Sequence, residues 1–315
     1  MKALVTGGAG FIGSHIAEAL CRRGAKVVVL DDLSEGALKN LAWRQDGHDL
    51  EFVRGGIEDE KLVRQVMTGC DWVFHEAAVA SVPKSVAEPM ETNSDNLTGS
   101  LGLLIAARDA KVKRFVFASS SAIYGNNDVP AKHENLLPDP LSPYALQKYA
   151  SEKYGQLFCQ LYGLETVSLR YFNVFGPRQS FNSPYSGVIA RFCTSFLKKE
   201  TPTIFGDGLQ SRDFIYIDNV VAANLLAAEA PAGQAAGKVF NVAGGQSITL
   251  LQLVGELNRL TGQSIQPRIE PARAGDVRSS QADISAARHG LGYEPRVAWQ
   301  TGLERTLDFY RENGH

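Results

Sequence analysis

The sequence begins with a short apolar strand that leads directly into a glycine-rich turn. Residues 2–6 read KALVT, glycines follow at positions 7, 10 and 13, and an amphipathic segment begins at 14. Glycine permits a sharp turn, lets a pyrophosphate approach the backbone and lets the following helix pack on the strand. The N-terminus of that helix offers free N–H groups and a partial positive charge to phosphates. The pattern predicts a dinucleotide site at Gly7, Gly10, Phe11, Ile12 and Gly13.

An acidic pair follows the second strand-like segment. Residues 26–30 read KVVVL and lead into Asp31 and Asp32, roughly 20 residues after the glycines, where an acid binds the adenosine ribose. A carboxylate there repels the 2′-phosphate of NADP, and no arginine follows immediately to pair with one. The cofactor predicted is therefore NAD, with Asp31 favoured because it lies at the strand end. A tight turn that binds nothing and a simple loop acid are the alternatives.

Composition argues against several classes of function. The chain has 315 residues, 44% of them hydrophobic and 21% charged, with a net charge of −2. This balance predicts an ordinary soluble protein, long enough for one large or two modest domains, with no affinity for nucleic acid or membranes. No apolar run approaches the ~18 residues of a membrane span, and no signal peptide is expected, because the first apolar stretch is already the cofactor strand. The four cysteines lack metal-like spacing, which predicts buried thiols, no metal site and a cytoplasmic location.

Strand-like and helix-like segments alternate through the first half of the chain. Strands are predicted at 2–6, 26–31, 51–54, 71–75, 114–119 and 165–170, and helices at about 11–23, 59–68, 96–110 and 143–161. The alternation predicts an α/β fold with a Rossmann-type, doubly wound parallel sheet. We assign 1–170 to an NAD-binding domain and 171–315 mainly to a smaller α/β substrate lobe. Segments near 214–243 are expected to return to the first domain, and the tail to hold only short strands.

A tyrosine and a lysine share one face of a predicted helix. Ser142 and Pro143 suit its first turn, and Tyr144 and Lys148 are four residues apart. At ~4 Å and an effective dielectric near 20, an ammonium would attract the phenolate by about 4 kcal/mol. That attraction would bring the pKa of the tyrosine from near 10 to roughly 7. The pair predicts Tyr144 as a general base, and a chance pairing on an amphipathic helix is the alternative.

These motifs together resemble the extended short-chain dehydrogenase/reductases, and most closely their nucleotide-sugar 4-epimerases. The resemblance covers essentially the whole chain. It rests on the glycine turn, on Tyr144-x-x-x-Lys148 with a preceding serine, and on three later motifs: Arg170-Tyr-Phe-Asn173-Val-Phe-Gly176-Pro, Ser211-Arg212-Asp213-Phe and Gly275-Asp276-Val-Arg278. It implies Ser120 as the catalytic hydroxyl beside Tyr144, with Ser121 assisting. Ser121 and Ala122 stand where the related 4,6-dehydratases carry Asp and Glu, which implies epimerisation rather than loss of water.

The resemblance also implies two sets of binding residues. The cofactor contacts beyond the glycine turn are Asp31, Asp32, Ile57, Ala77, Ala78, Asn96, Tyr144, Lys148 and Tyr171. The substrate contacts are Ser120, Asn173, Arg212, Arg273, Asp276 and Ser280. Two arginines suit a pyrophosphate, because each guanidinium can bind it bidentately. One position departs from the family: Gly56 stands where an Asp usually contacts the adenine amino group, so that contact is lost unless Glu58 or Asp59 replaces it.

The identity of the sugar depends on one small side chain. Ser280 lies at the position that resembles the family's substrate-size gate, and a small residue there implies room for a 2-acetamido group. The implied substrates are UDP-GlcNAc and UDP-GalNAc, with UDP-Glc and UDP-Gal as further candidates. A UDP-uronic acid 4-epimerase, another nucleotide-sugar-modifying enzyme of the family and a non-catalytic NAD-binding sensor remain alternatives. Apolar residues on several faces of the helices at 96–110 and 143–161 predict a homodimer, and cell-surface polysaccharide precursors are the expected products.

Overall fold

The computed structural model of the protein describes residues 1–180, 187–272 and 278–313. The strands are β1 (Lys2–Thr6), β2 (Lys26–Asp31), β3 (Leu50–Arg54), β4 (Trp72–His75), β5 (Arg114–Ser120), β6 (Glu165–Tyr171), β7 (Asn173–Phe175), β8 (Thr203–Phe205), β9 (Ser211–Tyr216), β10 (Lys238–Val242), β11 (Ser247–Thr249), β12 (Arg268–Glu270) and β13 (Ser279–Ser280). The helices are α1 (Phe11–Arg22), α2 (Glu60–Met67), α3 (Val82–Ala87), α4 (Pro89–Asn93), α5 (Ser100–Asp109), α6 (Pro143–Tyr162), α7 (Val188–Leu197), α8 (Ile217–Glu229), α9 (Ala232–Ala235), α10 (Leu250–Thr261), α11 (Ser285–Leu291) and α12 (Trp299–Glu312).

Seven parallel strands form the central sheet, in the order β10-β6-β5-β4-β1-β2-β3. Successive side chains of a strand point to opposite faces, so Val27 and Val29 pack into one buried core while Val28 and Leu30 pack into the other. Helices α1 and α8 contribute to the first core, and α2, α5 and α6 to the second. Burial on both faces explains the continuous apolar runs of the strands. The predicted doubly wound α/β fold is confirmed.

A smaller sheet lies beyond β6 and gathers later parts of the chain. Strand β9 is its centre and pairs with β11, β13 and β7. Because β7 begins two residues after β6 ends, this small sheet lies at the carboxyl edge of the central sheet. The segment near 214–243 divides between the two sheets, since β9 belongs to the small one and β10 is the edge strand of the large one.

The prediction that the tail holds only short strands is wrong. Two helices, α11 and α12, occupy much of it. Helix α12 buries Leu303, Leu307 and Tyr310, whose spacing of four and three residues is that of one helix face. Pro295 lies before α12 and therefore interrupts the chain without preventing the helix. Within the described ranges, the helices are all too short or too polar to cross a bilayer.

Candidate active site

A cleft of ≈ 1020 Å³ opens at the carboxyl ends of β1, β2 and β4. Ten of the predicted cofactor residues line it: Gly7, Gly10, Phe11, Ile12, Gly13, Asp31, Asp32, Ile57, Ala77 and Ala78. The other four, Asn96, Tyr144, Lys148 and Tyr171, are not among its lining residues. The ligand site thus forms where doubly wound sheets place it, at the point where the strand order reverses.

The glycine turn is closed so tightly that side chains are excluded from it. Gly7 has φ +65°, a backbone conformation that L-residues rarely adopt. A Cβ on Gly13 would collide with the carbonyl oxygen of Gly7 and come within 2.9 Å of the Gly8 Cα. Gly10 caps α1 without a side chain, so the first N–H groups of the helix remain available for an anion. This cradle fits the pyrophosphate of a dinucleotide.

Asp31 joins the second strand to the glycine turn. Its carboxylate accepts hydrogen bonds from the backbone N–H groups of Ala9, at 2.9 Å, and of Leu33, at 2.8 Å. Burial raises the pKa of Asp31, and these two hydrogen bonds oppose the rise. Asp32 is exposed and accepts from the N–H and hydroxyl of Ser34. Two acids at this corner of the cleft suit the ribose hydroxyls of NAD and oppose a 2′-phosphate.

The structure distinguishes the two candidates that could replace the missing acid at Gly56. The carboxylate of Glu58 occupies the space that a Cβ on Gly56 would enter, and Glu58 lines the cleft. Asp59 instead caps α2, because its Oδ1 accepts from the Leu62 N–H at 3.0 Å. Of the two, Glu58 is therefore the residue whose carboxylate lies next to Gly56 in the lining of the cleft.

The tyrosine and lysine lie at the start of α6, as their spacing predicts. Ser142 caps this helix by accepting from the Ala145 N–H at 3.2 Å, and Pro143 is its first residue. The Lys148 Nζ lies 6.0 Å from the centre of the Tyr144 ring and donates to the Ala118 carbonyl at 2.8 Å. Ser120, the last residue of β5, lies beside Tyr144 and acts to lower the pKa of its phenol. Helix α6 thus brings a phenol, a hydroxyl and an ammonium together at the end of one strand.

The substrate candidates meet on the small sheet. Arg212 of β9 is in register with Ser280 of β13, and Asn173 of β7 is in register with Phe214 of β9. The Asn173 amide donates to the Asp213 carbonyl at 3.1 Å. The structure therefore brings Asn173, Arg212 and Ser280 together, while Arg273 and Asp276 lie outside the described residues. Ser121 begins a 3₁₀ turn directly after Ser120.

Residues 3–243 match the family model described as the NAD dependent epimerase/dehydratase family. The chain belongs to this family. It is 42% identical to a UDP-glucose 4-epimerase from Thermotoga maritima solved with UDP-glucose, with 99% of each chain covered and a TM-score of 0.93. It is 40% identical to a UDP-N-acetylglucosamine 4-epimerase from Methanobrevibacter ruminantium solved with UDP-N-acetylmuramic acid, with 99% of each chain covered and a TM-score of 0.94.

A curated relative agrees with these structures. The UDP-glucose 4-epimerase of Mycolicibacterium smegmatis is 37% identical over 313 residues, which are 99% of each chain. The predicted relationship to NAD-dependent nucleotide-sugar 4-epimerases is confirmed, and with it the isomerase class and NAD as the cofactor. The glycine cradle and the acids beside it are the features of this epimerase-family chain that fit NAD.

The predicted lowering of the Tyr144 pKa is wrong for the protein's own groups. Burial raises the pKa of Tyr144, the Ser120 hydrogen bond opposes this, and the nearby Glu76 carboxyl raises it further. Burial also lowers the pKa of Lys148 to about 8, which weakens the ammonium as a counter-charge. The prediction considered the attraction of the lysine but not the loss of solvation of the two side chains on burial. In the folded protein this desolvation has the larger effect on both pKa values.

Asn96 holds in place the loop after β4, which forms part of the wall of the cleft. Its Oδ1 accepts from the Val79 N–H at 2.8 Å, and its Nδ2 donates to the Val79 carbonyl at 3.1 Å and to Gln147 Oε1 at 2.9 Å. Val79 lines the cleft, and Gln147 adjoins Lys148 in α6. Asn96 therefore ties the loop after β4 to the helix that carries the tyrosine and the lysine.

Two parts of the site were missed by sequence reasoning. Glu76 lies at the end of β4, lines the cleft, and accepts from the Tyr171 hydroxyl at 2.9 Å. The sequence feature that could have identified Glu76 is its position directly between the end of β4 and the predicted cofactor residue Ala77. Phe309 and Tyr310 of α12 also line the cleft, and the periodicity of α12 was the signal for them.

Proposed function

We propose that this enzyme inverts C4 of a UDP-hexose through a 4-keto intermediate, with UDP-GlcNAc and UDP-GalNAc as the preferred pair. UDP-Glc and UDP-Gal are further substrates in this proposal. The observation that carries it is the placement of Ser120, Tyr144 and Lys148 together at the end of β5, next to the cofactor cleft. Ser121 and Ala122 supply no carboxylate for dehydration, which supports epimerisation over loss of water.

The chain's own residues handle the proton and the orientation of the sugar. Tyr144 accepts the proton of the 4′-hydroxyl while Ser120 hydrogen-bonds the same oxygen, and Tyr144 later returns the proton. Lys148 places a positive charge beside the phenolate as it forms. When bound, NAD would supply the acceptor, and then the donor, of the C4 hydrogen and its two electrons.

Anchoring in this proposal falls on the diphosphate rather than on the sugar. Arg212 and Asn173 lie together on the small sheet, and we assign Arg273 and Asp276 to the same nucleotide. A firmly held diphosphate lets the keto sugar turn about its linkage and present its other face. The assignment of 1–170 to cofactor binding and of 171–315 mainly to substrate binding is part of this proposal, as is a cytoplasmic location, which the free cysteines at 21, 70, 159 and 193 support.

The proposal is tested by incubating the purified protein with UDP-GlcNAc and no added cofactor. We expect UDP-GalNAc to form, detected by the anomeric proton signals in NMR, without accumulation of reduced cofactor. Parallel reactions with UDP-Glc and UDP-glucuronate test the other sugars. Conversion of UDP-glucuronate alone would overturn the proposed substrate in favour of a uronic acid epimerase. Tight NAD binding with no conversion of any sugar would favour a non-catalytic sensor.

The substitution Ser280→Tyr tests whether the size of this side chain determines which sugar is accepted. Ser280 is in register with Arg212 and is partly exposed, so a bulky side chain there would fill space beside the nucleotide sugar. We expect kcat/KM for UDP-GlcNAc to fall ~10–200-fold relative to UDP-Glc, which is the range that a size change in a pocket gives. The ratio of the two kcat/KM values is the measurement. An unchanged ratio, or comparable wild-type values for both sugars, would remove the size argument.

A homodimer is the proposed assembly, and α6 carries its surface. Leu146, Tyr154, Leu157 and Leu161 are exposed and fall on one stripe of this helix. An exposed apolar stripe of this kind is typical of an interface. We expect Leu157→Glu to shift the protein to a monomer in sedimentation at micromolar concentration. Leu209→Glu, at an exposed leucine elsewhere, is the control, and a wild-type protein that sediments as a monomer would contradict the dimer.

A further inference from the structure

Glu76 is a carboxyl group that the proposed mechanism does not use, although it lies inside the site. It follows β4, lines the cleft next to Ala77, and its Oε1 accepts from the Tyr171 hydroxyl at 2.9 Å. That hydroxyl in turn accepts from the Asn224 Nδ2 at 2.7 Å. Two elements therefore fix the carboxyl group, β6 through Tyr171 and α8 through Asn224.

The charged and titratable groups that face Glu76 come from α6 and β6. Lys148 and Tyr144 of α6 interact with it electrostatically, and Tyr171 of β6 hydrogen-bonds it. His75 precedes it but hydrogen-bonds Thr6 and Ser100 instead, and burial lowers the pKa of this imidazole to about 3. Lys148 is thus the one cation that these interactions place against Glu76.

Burial and these neighbours keep the Glu76 carboxyl near the middle of its titration at neutral pH. Burial raises its pKa to about 7, against the opposing effects of the Tyr171 hydrogen bond and of Lys148. Ionised Glu76 raises the pKa of both Tyr144 and Lys148. The charge of Glu76 therefore acts both on the tyrosine that accepts the proton and on the neighbouring lysine.

The same charge acts on the cofactor. For hydride transfer, the nicotinamide of bound NAD would have to reach the sugar C4 beside Tyr144, and Glu76 lines the cleft and interacts electrostatically with Tyr144. The oxidised ring carries a positive charge that the reduced ring lacks. A carboxylate at short range in a desolvated site stabilises the cation more than the neutral form.

We propose that Glu76 is a positioning residue that acts through its charge: its carboxylate biases the bound cofactor toward the oxidised form, from which each turnover begins. The proposal deepens the epimerase function above and rests on it. In the first half-reaction the C4–H bond breaks, its hydrogen and two electrons go to NAD, and the hydroxyl proton goes to Tyr144. The second half-reaction reverses both transfers, so no external oxidant or reductant is consumed. Ionised Glu76 favours oxidised NAD, the form that is regenerated at the end of each cycle.

The test is a redox titration of the cofactor in the holoenzyme, followed at 340 nm against a dye couple between pH 6 and pH 8. We expect Glu76→Gln, which keeps an acceptor for Tyr171, to shift the ratio of reduced to oxidised cofactor about tenfold toward reduced at pH 8, or about 30 mV. At pH 6 the shift should be smaller, because protonation of Glu76 removes the charge that acts on the cofactor. Glu76→Asp, which keeps the charge, should restore most of the wild-type potential. Glu88→Gln, an exposed carboxylate outside the cleft, is the control for total charge.

Superimposable wild-type and Glu76→Gln potentials at pH 8 would overturn the proposal. The wild-type titration is informative by itself if the variant fails to fold. Uptake of a proton by Glu76 on reduction should make the midpoint fall with pH by more than the about 30 mV per pH unit of one proton per two electrons. A slope that stays at that value across pH 7 would overturn the proposal as well.

No sugar enters this titration, so its failure is separate from that of the proposed function. A shifted potential in a protein that converts no UDP-sugar would overturn the epimerase function and leave the charge effect standing. An active epimerase with an unshifted potential would overturn the role of Glu76 alone.

Discussion

Tyr144→Phe is expected to lower kcat by ~10²–10⁴, the contribution of a positioned general acid–base group. The substitution removes the phenol oxygen that lies beside Ser120 and keeps the aromatic ring. Because neither the cleft nor the small sheet is altered, KM and NAD content should change little. Initial rates of UDP-hexose conversion across a range of substrate concentrations provide the measurement.

The matched control is Tyr149→Phe. Tyr149 lies one residue beyond Lys148 on the same helix, and its ring contacts the ammonium of Lys153 at 5.4 Å. Removal of its hydroxyl should leave kcat within a factor of about two of the wild type, because an isolated surface change of this kind costs little. Near-wild-type turnover in the Tyr144 variant would rule out this tyrosine as the base.

Gly13→Ala is expected to empty the cofactor site. The new Cβ would meet the Gly7 carbonyl and the Gly8 Cα, which are backbone atoms that cannot move without opening the turn. Overpacking of this kind costs about 1–3 kcal/mol, which corresponds to a loss of roughly 5- to 150-fold in NAD affinity. The NAD released from the purified protein by acid, per mole of chain, is the direct measurement.

Gly255→Ala controls for the change of residue type. This glycine lies in α10 with nothing within 4 Å of its Cβ direction, so alanine should raise the free energy of unfolding by up to about 1 kcal/mol. NAD content should equal that of the wild type. Full NAD content in Gly13→Ala would contradict the assignment of the turn as the pyrophosphate cradle.

Local patterns in the sequence were sufficient to predict the central sheet. Most residues of β1, β2, β4, β5 and β6 are buried, so apolar runs such as the one in β2 stand out. The structure of the C-terminal tail was harder to predict, because Pro267, Pro271 and Pro295 suggested a segment with little regular secondary structure. Helix α12 forms because a face of leucines and a tyrosine can pack after the last of these prolines.

The site was predictable where it depends on spacing and not where it depends on burial. The distance between Tyr144 and Lys148 follows from helix geometry. The direction of the Tyr144 pKa shift does not, because it depends on desolvation and on Glu76, which reaches the pair only through the fold. The choice between Glu58 and Asp59 likewise required knowledge of which carboxylate caps α2.

The contribution of α12 to the cleft has a consequence for biosynthesis. Phe309 and Tyr310 face the same space as the glycine turn, although the two are separated by nearly the whole chain, and Tyr310 also donates to the Gln179 carbonyl at 2.9 Å. Ribosomes synthesise a chain at about 5–20 residues per second, and N-terminal parts begin to fold first during synthesis. The first strands and the turn can therefore assemble early, but the wall that α12 supplies is absent until that helix, far later in the chain, has been synthesised. Whatever Phe309 and Tyr310 contribute to holding a ligand in the cleft therefore comes only after α12 has been synthesised.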